Sequence, residues 1–327
     1  MTAPPTLSRA IPFIRVAVSA LLVSVLVTQL PRDAFGDLAE RWTTASWFWM
    51  AAAIVATTAA TAFGAARWHS VASAIGVRSS FRQLVPHHFA GQLVSAVLPS
   101  SVGGDAVRAH RLGRESGDRT RSLSSVIIDR LSGWVVLPTI TLLAFALNPG
   151  LLRLGGSTIW AVVISVGAMV AFAAMVVSIS PPRHHEGAGR LRRLAGTLRS
   201  SIHEVRRRPS SAVEPLVLSV CSTMLLVAAG YLAGRALGID LSPTAAMAIL
   251  PVVLMVQIVP LGVGGLGLRE GALVVFLAPL GIAAAQAVIL GIAIHLLGAT
   301  VGLLGAPSLA SSPASATERV TDGTSRP

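Results

Sequence analysis

Long apolar runs alternate with short polar ones along most of the chain. The runs near 12–30, 46–65, 123–147, 158–180, 215–237 and 284–305 are each long enough to cross a bilayer as one helix, which takes ~20 residues. Two other apolar stretches, about 84–103 and 244–265, differ in kind, because Pro and Gly interrupt them and each ends in a Gly pair. The first of these holds His87, His88, Gln92, Ser95, Pro99, Ser100, Ser101, Gly103 and Gly104, a poor set for a lipid-facing helix. Broken backbone at membrane depth is tolerated where it is buried in protein or faces a wet cavity.

Loop charge orients the spans. Segment 31–45 sets Arg32 and Arg41 against Asp33, Asp37 and Glu40, whereas 66–83 carries Arg67, Arg78 and Arg82 with no acid. Segment 181–211 carries eight arginines (Arg183, Arg190, Arg192, Arg193, Arg199, Arg206, Arg207 and Arg208) against Glu186 and Glu204. By the positive-inside rule 31–45 lies outside, and 66–83 and 181–211 lie inside. An even number of crossings must separate two inside loops, and the runs 123–147 and 158–180 already supply two. The stretch 84–103 therefore enters and leaves on one side, as a re-entrant hairpin. The arginines after it, Arg108, Arg111, Arg114, Arg119 and Arg121, are then also inside.

Composition supports this reading. Of 327 residues, 53% are hydrophobic and 12% charged, about half the ~25% charge of an ordinary soluble domain. Mean hydropathy is +0.71. A soluble globule, a disordered chain and a coiled coil are excluded, and a polytopic membrane protein with room for six to nine crossings remains. All 26 basic residues are arginines, which reads as GC-rich, bacterial coding, and the net charge is +12. Those arginines sit between apolar spans, so they read as topology signals and contacts to anionic lipid rather than a nucleic-acid surface. Cys221 is the one cysteine and reads as a packed thiol. The longest polar stretch, 181–211, is too short for a catalytic module. The chain thus reads as one membrane domain over 1–305, with a first half 10–147, a second half 158–305 and a disordered polar tail 306–327. The run 11–30 reads as a span rather than a cleaved signal. The N-terminus, the loop 181–211 and the C-terminus are expected in the cytoplasm, with the chain in the cell membrane.

The two broken stretches repeat one pattern. Leu98-Pro99-Ser100-Ser101-Val102-Gly103-Gly104-Asp105-Ala106-Val107-Arg108 aligns with Val259-Pro260-Leu261-Gly262-Val263-Gly264-Gly265-Leu266-Gly267-Leu268-Arg269 at an offset of 161 residues, sharing P-x-x-V-G-G-x-x-[VL]-R. A weaker match, Asp129-Arg130-Leu131-Ser132-Gly133 with Ile294-His295-Leu296-Leu297-Gly298, needs an offset of 165. Three full spans separate the copies, so the second hairpin dips in from the opposite side. The fold expected is all-α, about six full transmembrane helices plus two opposed re-entrant hairpins in an inverted repeat, the plan of many secondary transporters. Short helix ends at the midplane aim N–H groups at an anion, and a Gly pair allows a tight turn and close backbone approach.

Ionisable groups inside membrane segments are costly and mark function. Asp129 and Arg130 lie about six residues into a span, either lining a wet cavity or sitting at the interface with Arg130 snorkelling. Asp105 and Arg108 would share a helical face, and Arg269 and Glu270 follow the second hairpin in the same way. His295 lies mid-span as a ligand or a packed hydrogen-bonder. Gln257 precedes Pro260 and could bond a headgroup or the opened backbone. Arg15 and Arg235 read as interface anchors, and Trp42, Trp47 and Trp49 as an aromatic belt. The sequence shows no metal-ligand spacing, no Walker loop, no nucleophile elbow and no cofactor motif, so no enzyme activity is expected.

The run LPSSVGGDAVRAHRL, then SVIIDRLSGW, then VPLGVGGLGLREGAL resembles the membrane region of lysylphosphatidylglycerol synthase/flippases and their stand-alone relatives, over about residues 10–305. Ser100 stands where the family often has Gly, and Val263 where it often has Pro. The bifunctional members continue into a soluble aminoacyl-transferase domain that this sequence does not show. The resemblance implies a flippase moving a lipid with a polar or charged headgroup: a phospholipid, an aminoacyl-phospholipid or a polyprenyl-linked glycolipid. It carries the substrate-binding role to Pro99, Gly103, Gly104, Asp105 and Arg108, to Pro260, Gly264, Gly265, Arg269 and Glu270, and to Asp129 and Arg130. Gln257 and His295 are added from their position. Arg108, Arg130 and Arg269 would hold a phosphate, and Asp105, Asp129 and Glu270 would orient them. The expected partner is a membrane lipid with an anionic or glycosylated headgroup. An alternative is a non-transporting partner of a membrane glycosyltransferase or lipid synthase, docked through 181–211.

Overall fold

A computed structural model describes residues 42–97, 103–178, 210–257 and 265–310, with the isolated positions Ser24 and Gly196. The described residues are helical and contain no strand. The elements are α1 (Thr44–Ala74), α2 (Phe81–Val97), α3 (Gly103–Ser116), α4 (Arg119–Leu147), α5 (Gly156–Ser178), α6 (Ser210–Ala236), α7 (Pro243–Val256), α8 (Leu268–Leu277), α9 (Ala284–Gly302) and α10 (Ala306–Ala310). Five helices are long and apolar enough to cross a membrane: α1, α4, α5, α6 and the run Ala284–Ala310. They correspond to five of the six spans read from the sequence. The sixth, 12–30, and the loop 181–211 lie outside the described residues, apart from those two isolated positions and Ser210–Ser211, which begin α6.

Two boundaries move. Helix α1 runs to Ala74, not to 65, because Ala65, Trp68, Val71 and Ala72 continue its buried stripe at helical spacing. Arg67 therefore lies inside a spanning helix and not in a loop. At the other end the helical course continues through Ala306–Ala310, so a polar tail starts later than 306.

The stretch around 84–103 is a hairpin of α2 and α3. His87 bonds Glu115 on α3, Gly91 abuts Arg108, and Gly104 abuts Ser95, so the limbs run antiparallel. Its counterpart is the pair α7 and α8, joined across Gln257–Gly267.

The two halves, α1–α4 and α6–α9, repeat one packing scheme. Each element of the second starts between 162 residues (Phe81 to Pro243) and 166 residues (Thr44 to Ser210) after its counterpart. The first half's hairpin limb α2 packs on α9, and the second half's limb α7 packs reciprocally on α4. The same exchange relates α4 with α6 to α9 with α1, and α1 and α6 pack on each other. They run antiparallel, since Ser222 bonds the Ala60 carbonyl while Arg67 bonds Ser219. Counterpart helices running in opposite directions are what an inverted repeat produces. Their interface is built of small side chains: Ala53, Ala56 and Ala60 on α1, with Ser219, Ser222 and Ala229 on α6, while Gly64 faces His88 of α2. Such residues let membrane helices approach closely where no hydrophobic force drives them together. Helix α5 lies between the halves in sequence and at the edge in space, with Ile159, Trp160, Val163 and Val170 more than half or half exposed, the pattern of a lipid-facing helix.

Candidate functional site

The charged groups of the first half meet in one network. Asp129, on α4, is fully buried. Its Oδ1 accepts from Nε of Arg67 on α1 at 2.7 Å, and its Oδ2 from Nη2 of Arg108 on α3 at 2.7 Å. One carboxylate thus joins three helices by charge-assisted bonds. Arg108 Nη1 also lies 3.4 Å from Asp105 Oδ1, one helical turn back, and the other oxygen of Asp105 pairs with Arg130. Arg67 adds a bond to Ser219 of α6 at 3.1 Å.

Aromatic packing fixes the network's depth. The Arg108 guanidinium lies 4.3 Å from the ring centroid of Trp68, a cation over a π face. Trp68 is itself wholly buried and donates its indole N–H to Ser125 at 3.0 Å. His88 stacks obliquely beside that ring. Glycine is required where the hairpin limbs touch: a Cβ on Gly104 would overlap the Gly91 carbonyl, and one on Gly91 would come within 2.8 Å of the Arg108 side chain.

A cavity of about 270 Å³ opens beside the network and between the halves. Its walls are Thr61, Gly64 and Arg67 of α1, His88 and Gln92 of α2, Arg130, Gly133, Trp134 and Leu137 of α4, Ser222, Thr223 and Leu226 of α6, and Leu254 of α7. Gln92 is anchored by Thr61 and donates to the Gly298 carbonyl, tying α2 to α9 across the molecule. The Nδ1 of His88 is buried with no hydrogen-bond partner among the described residues.

The second hairpin makes a separate cluster. Both Nε and Nη2 of Arg269 reach Oε1 of Gln257, at 3.1 and 2.7 Å. Glu270 accepts the Gly267 N–H at 2.6 Å, capping α8. Its Oε1 packs against Gly291 of α9.

The residues named from the sequence fall into three groups. Asp105, Arg108, Asp129 and Arg130 are brought together, with Gly103 and Gly104 opening α3 below them. Asp129 is wholly buried behind the cavity rather than among its walls, and Arg130, with 37% of its side chain exposed, lines it. Gln257, Gly265, Arg269 and Glu270 form the second cluster, and His295 is half-buried on α9, outside the network. Pro99, Pro260 and Gly264 lie outside the described residues.

The two motifs are not equivalent in space. Arg108 is one and a half turns into α3, whereas Arg269 is the second residue of α8. Asp105 and Arg108 share a face and pair with each other, whereas the adjacent Arg269 and Glu270 bond Gln257 and the Gly267 N–H respectively while both reach Gly291 of α9. The glycines divide the two expected jobs. Gly104 serves close approach within a helix, and Gly265 and Gly267, at φ +80 and +83, serve the turn.

Arg67 and His88 were not among the expected site residues. The signal for Arg67 was present, because the buried spacing 64, 65, 68, 71, 72 continues past the end of the unbroken apolar run. His88 had no local signal, since only the stacking of α2 on α1 places it at the cavity.

The family described as the lysylphosphatidylglycerol synthase TM region matches residues 13–305. A UPF0104 membrane protein of Methanothermobacter thermautotrophicus is 26% identical over 235 residues, which is 64% of this chain and 69% of that protein.

Proposed function

Because the chain belongs to the lysylphosphatidylglycerol synthase transmembrane-region family, and is a multi-pass membrane protein, we propose that it moves a lipid with a polar or charged headgroup between leaflets and has no enzymatic activity. The observation that carries this reading is the cavity itself. Its lining includes Arg67 and Arg130 together with Ser222 and Thr223, inside largely apolar spanning helices. Charged side chains at a chamber inside a bilayer protein are expensive to keep, and ionisable groups lining one mark a pathway. Arg67 and Arg130 contact the phosphate, for which a planar guanidinium offers paired donors. Arg108 and Asp129 hold those contacts in place from behind. The acyl chains remain in the bilayer, as the cavity is far too small for them.

In this reading the chain sits in the cell membrane with the loop between α1 and α2, the loop 181–211 and both termini in the cytoplasm, following its arginines. The network then lies towards the cytoplasmic side, and the Arg269 cluster towards the outer one. Reconstitution into liposomes tests the function. The wild-type chain is expected to raise the rate at which labelled headgroups become accessible to an external quencher, and Arg67→Ala with Arg130→Ala is expected to lower that rate at least tenfold. A wild-type rate equal to that of protein-free liposomes refutes the proposal.

A further inference from the structure

We propose that His87 works a proton-sensitive latch between the first hairpin and the segment that follows α9. The neutral ring holds the strap Leu303–Ala310 on α2 and α3, and the protonated ring releases it. The inference goes beyond the lipid reading above and does not depend on it.

The strap is built from the end of the described chain. After α9, a short 3-10 turn (Leu303–Gly305) and α10 pack on α2. Gly302 and Gly305 sit against the backbone of Leu93 and of Phe89–Ala90. Ser308 Oγ lies 3.2 Å from the Pro86 carbonyl of α2, and the Ser308 carbonyl accepts from Nη2 of Arg111 on α3. Arg111 thus ties α3 to the strap. Its Nη1 lies 3.5 Å from Nδ1 of His87, whose Nε2 lies 2.8 Å from Oε1 of Glu115. The His87 side chain is 8% exposed, while that of Glu115 is 34% exposed at the rim. Arg111 follows Arg108 by one helical turn, so the latch bears on the helix that carries Arg108 into the network.

The two partners fix the state of the ring. Guanidinium only donates, and an ionised carboxylate only accepts. Nδ1 therefore presents its lone pair to Arg111, and Nε2 carries the hydrogen towards Glu115, which is the neutral ring. A proton added at Nδ1 aims one N–H at another and sets like charges side by side. The bond to Glu115 survives and keeps the ring in place, so the guanidinium moves, and its bond to the Ser308 carbonyl goes with it. Histidine changes charge in the range ~pH 5–8, which makes such a step accessible to cells.

The other ionisable groups of the packed elements are engaged or exposed elsewhere. On α1, Arg67 bonds Asp129 and Ser219, and His69 bonds the Ser79 carbonyl. His88 of α2 packs by Trp68, Asp105 and Arg108 of α3 belong to the network, and His110 and Arg114 are exposed. Helix α9 contributes His295, two turns before Gly302, and the strap contributes none.

Hydrogen exchange on the full chain in nanodiscs of neutral lipid tests the latch, at about pH 8 and about pH 5.5, with rates corrected for the intrinsic pH dependence of exchange. The amides of 303–310 are expected to lose at least tenfold in protection at the lower pH while those of α6 keep theirs. His87→Asn sets an amide oxygen where Nδ1 sits and cannot titrate, so the strap is expected to stay protected at both. Arg111→Ala removes the tie, so the strap is expected to exchange at the faster rate at both. The two variants abolish the response from opposite ends, and a folding fault in one leaves the other to decide. Equal wild-type protection at the two pH values overturns the inference, as does a full acid response in either variant.

Discussion

Asp129 shows what one buried carboxylate does in this setting. It has no exposure and accepts from two guanidiniums at 2.7 Å, each from a different helix. Replacing it by Asn keeps the shape and removes the charge, leaving Arg67 and Arg108 facing an amide. Breaking one side of a buried pair costs about 3–5 kcal/mol, so Asp129→Asn is expected to lower stability by that order in unfolding measurements in mixed micelles. The contrast is Arg121 with Asp118, an i,i+3 pair at 3.5 Å with side chains 55% and 44% exposed. Arg121→Ala is expected to change stability by no more than about 0.5–1 kcal/mol, since exposed pairs contribute little. Both are ion pairs by distance, and burial decides which one matters. Residue type alone did not separate them. The run Ser125–Gly133 announced an intramembrane Asp-Arg, but its partners Arg67 and Arg108 come from elements 62 and 21 residues away.

At the scale of elements, the apolar runs were legible because lipid demands about twenty consecutive apolar residues and few charges. Both hairpins were legible from Pro, Gly and the parity of arginine-bearing loops. The end of α1 was not, because its last turns carry Arg67, His69 and Ser70 and fall below any hydropathy criterion while still packing on the protein side. The register of the second motif was also hidden. A shared Gly-Gly-x-x-[VL]-Arg string does not reveal that α3 begins at its first Gly while α8 begins one residue before its Arg. Close packing between elements can be tested at Gly302. A Cβ built there meets the Leu93 Cα and N at 2.8 Å, backbone atoms that cannot move aside. Gly302→Val is expected to destabilise the α2–α9 contact by about 1–3 kcal/mol, the usual cost of overpacking. Gly167→Ala on α5 meets nothing within 4 Å. It is expected to be neutral, or stabilising by up to about 1 kcal/mol through helix propensity. The same micelle unfolding assay reads both.

For the whole molecule, the inverted arrangement makes a topological prediction independent of lipid. The loop between α1 and α2 and the loop between α6 and α7 occupy equivalent places in the two halves and must open on opposite faces. Ser80 and Asp240 are exposed in those loops. In a Cys221→Ser background, Ser80→Cys and Asp240→Cys are expected to be labelled by a membrane-impermeant maleimide from opposite sides, in intact cells for one and only after permeabilisation for the other. Labelling of both from the same side refutes the arrangement. The sequence repeat hinted at this symmetry, but the reciprocal packing of α2 on α9 and α7 on α4 required coordinates.

The carboxylate–guanidinium network stays on one side of the boundary between the halves. The ion pairs of Arg67, Arg108 and Arg130 with Asp105 and Asp129, and the peripheral Arg121–Asp118 pair, lie within the first half, as does the His87–Glu115 hydrogen bond. Contacts that cross to the second half include Arg67 to Ser219, Ser222 to Ala60, Gln92 to Gly298 and Thr141 to Ala248. None of these joins two charges; the neutral ones contribute about 0.5–1.5 kcal/mol each, and the one from the Arg67 guanidinium about 1.5–3 kcal/mol. A shift of the halves against each other would therefore leave each of these guanidinium–carboxylate pairs intact. The charged network travels with the first half as one piece, like cargo lashed to a single deck.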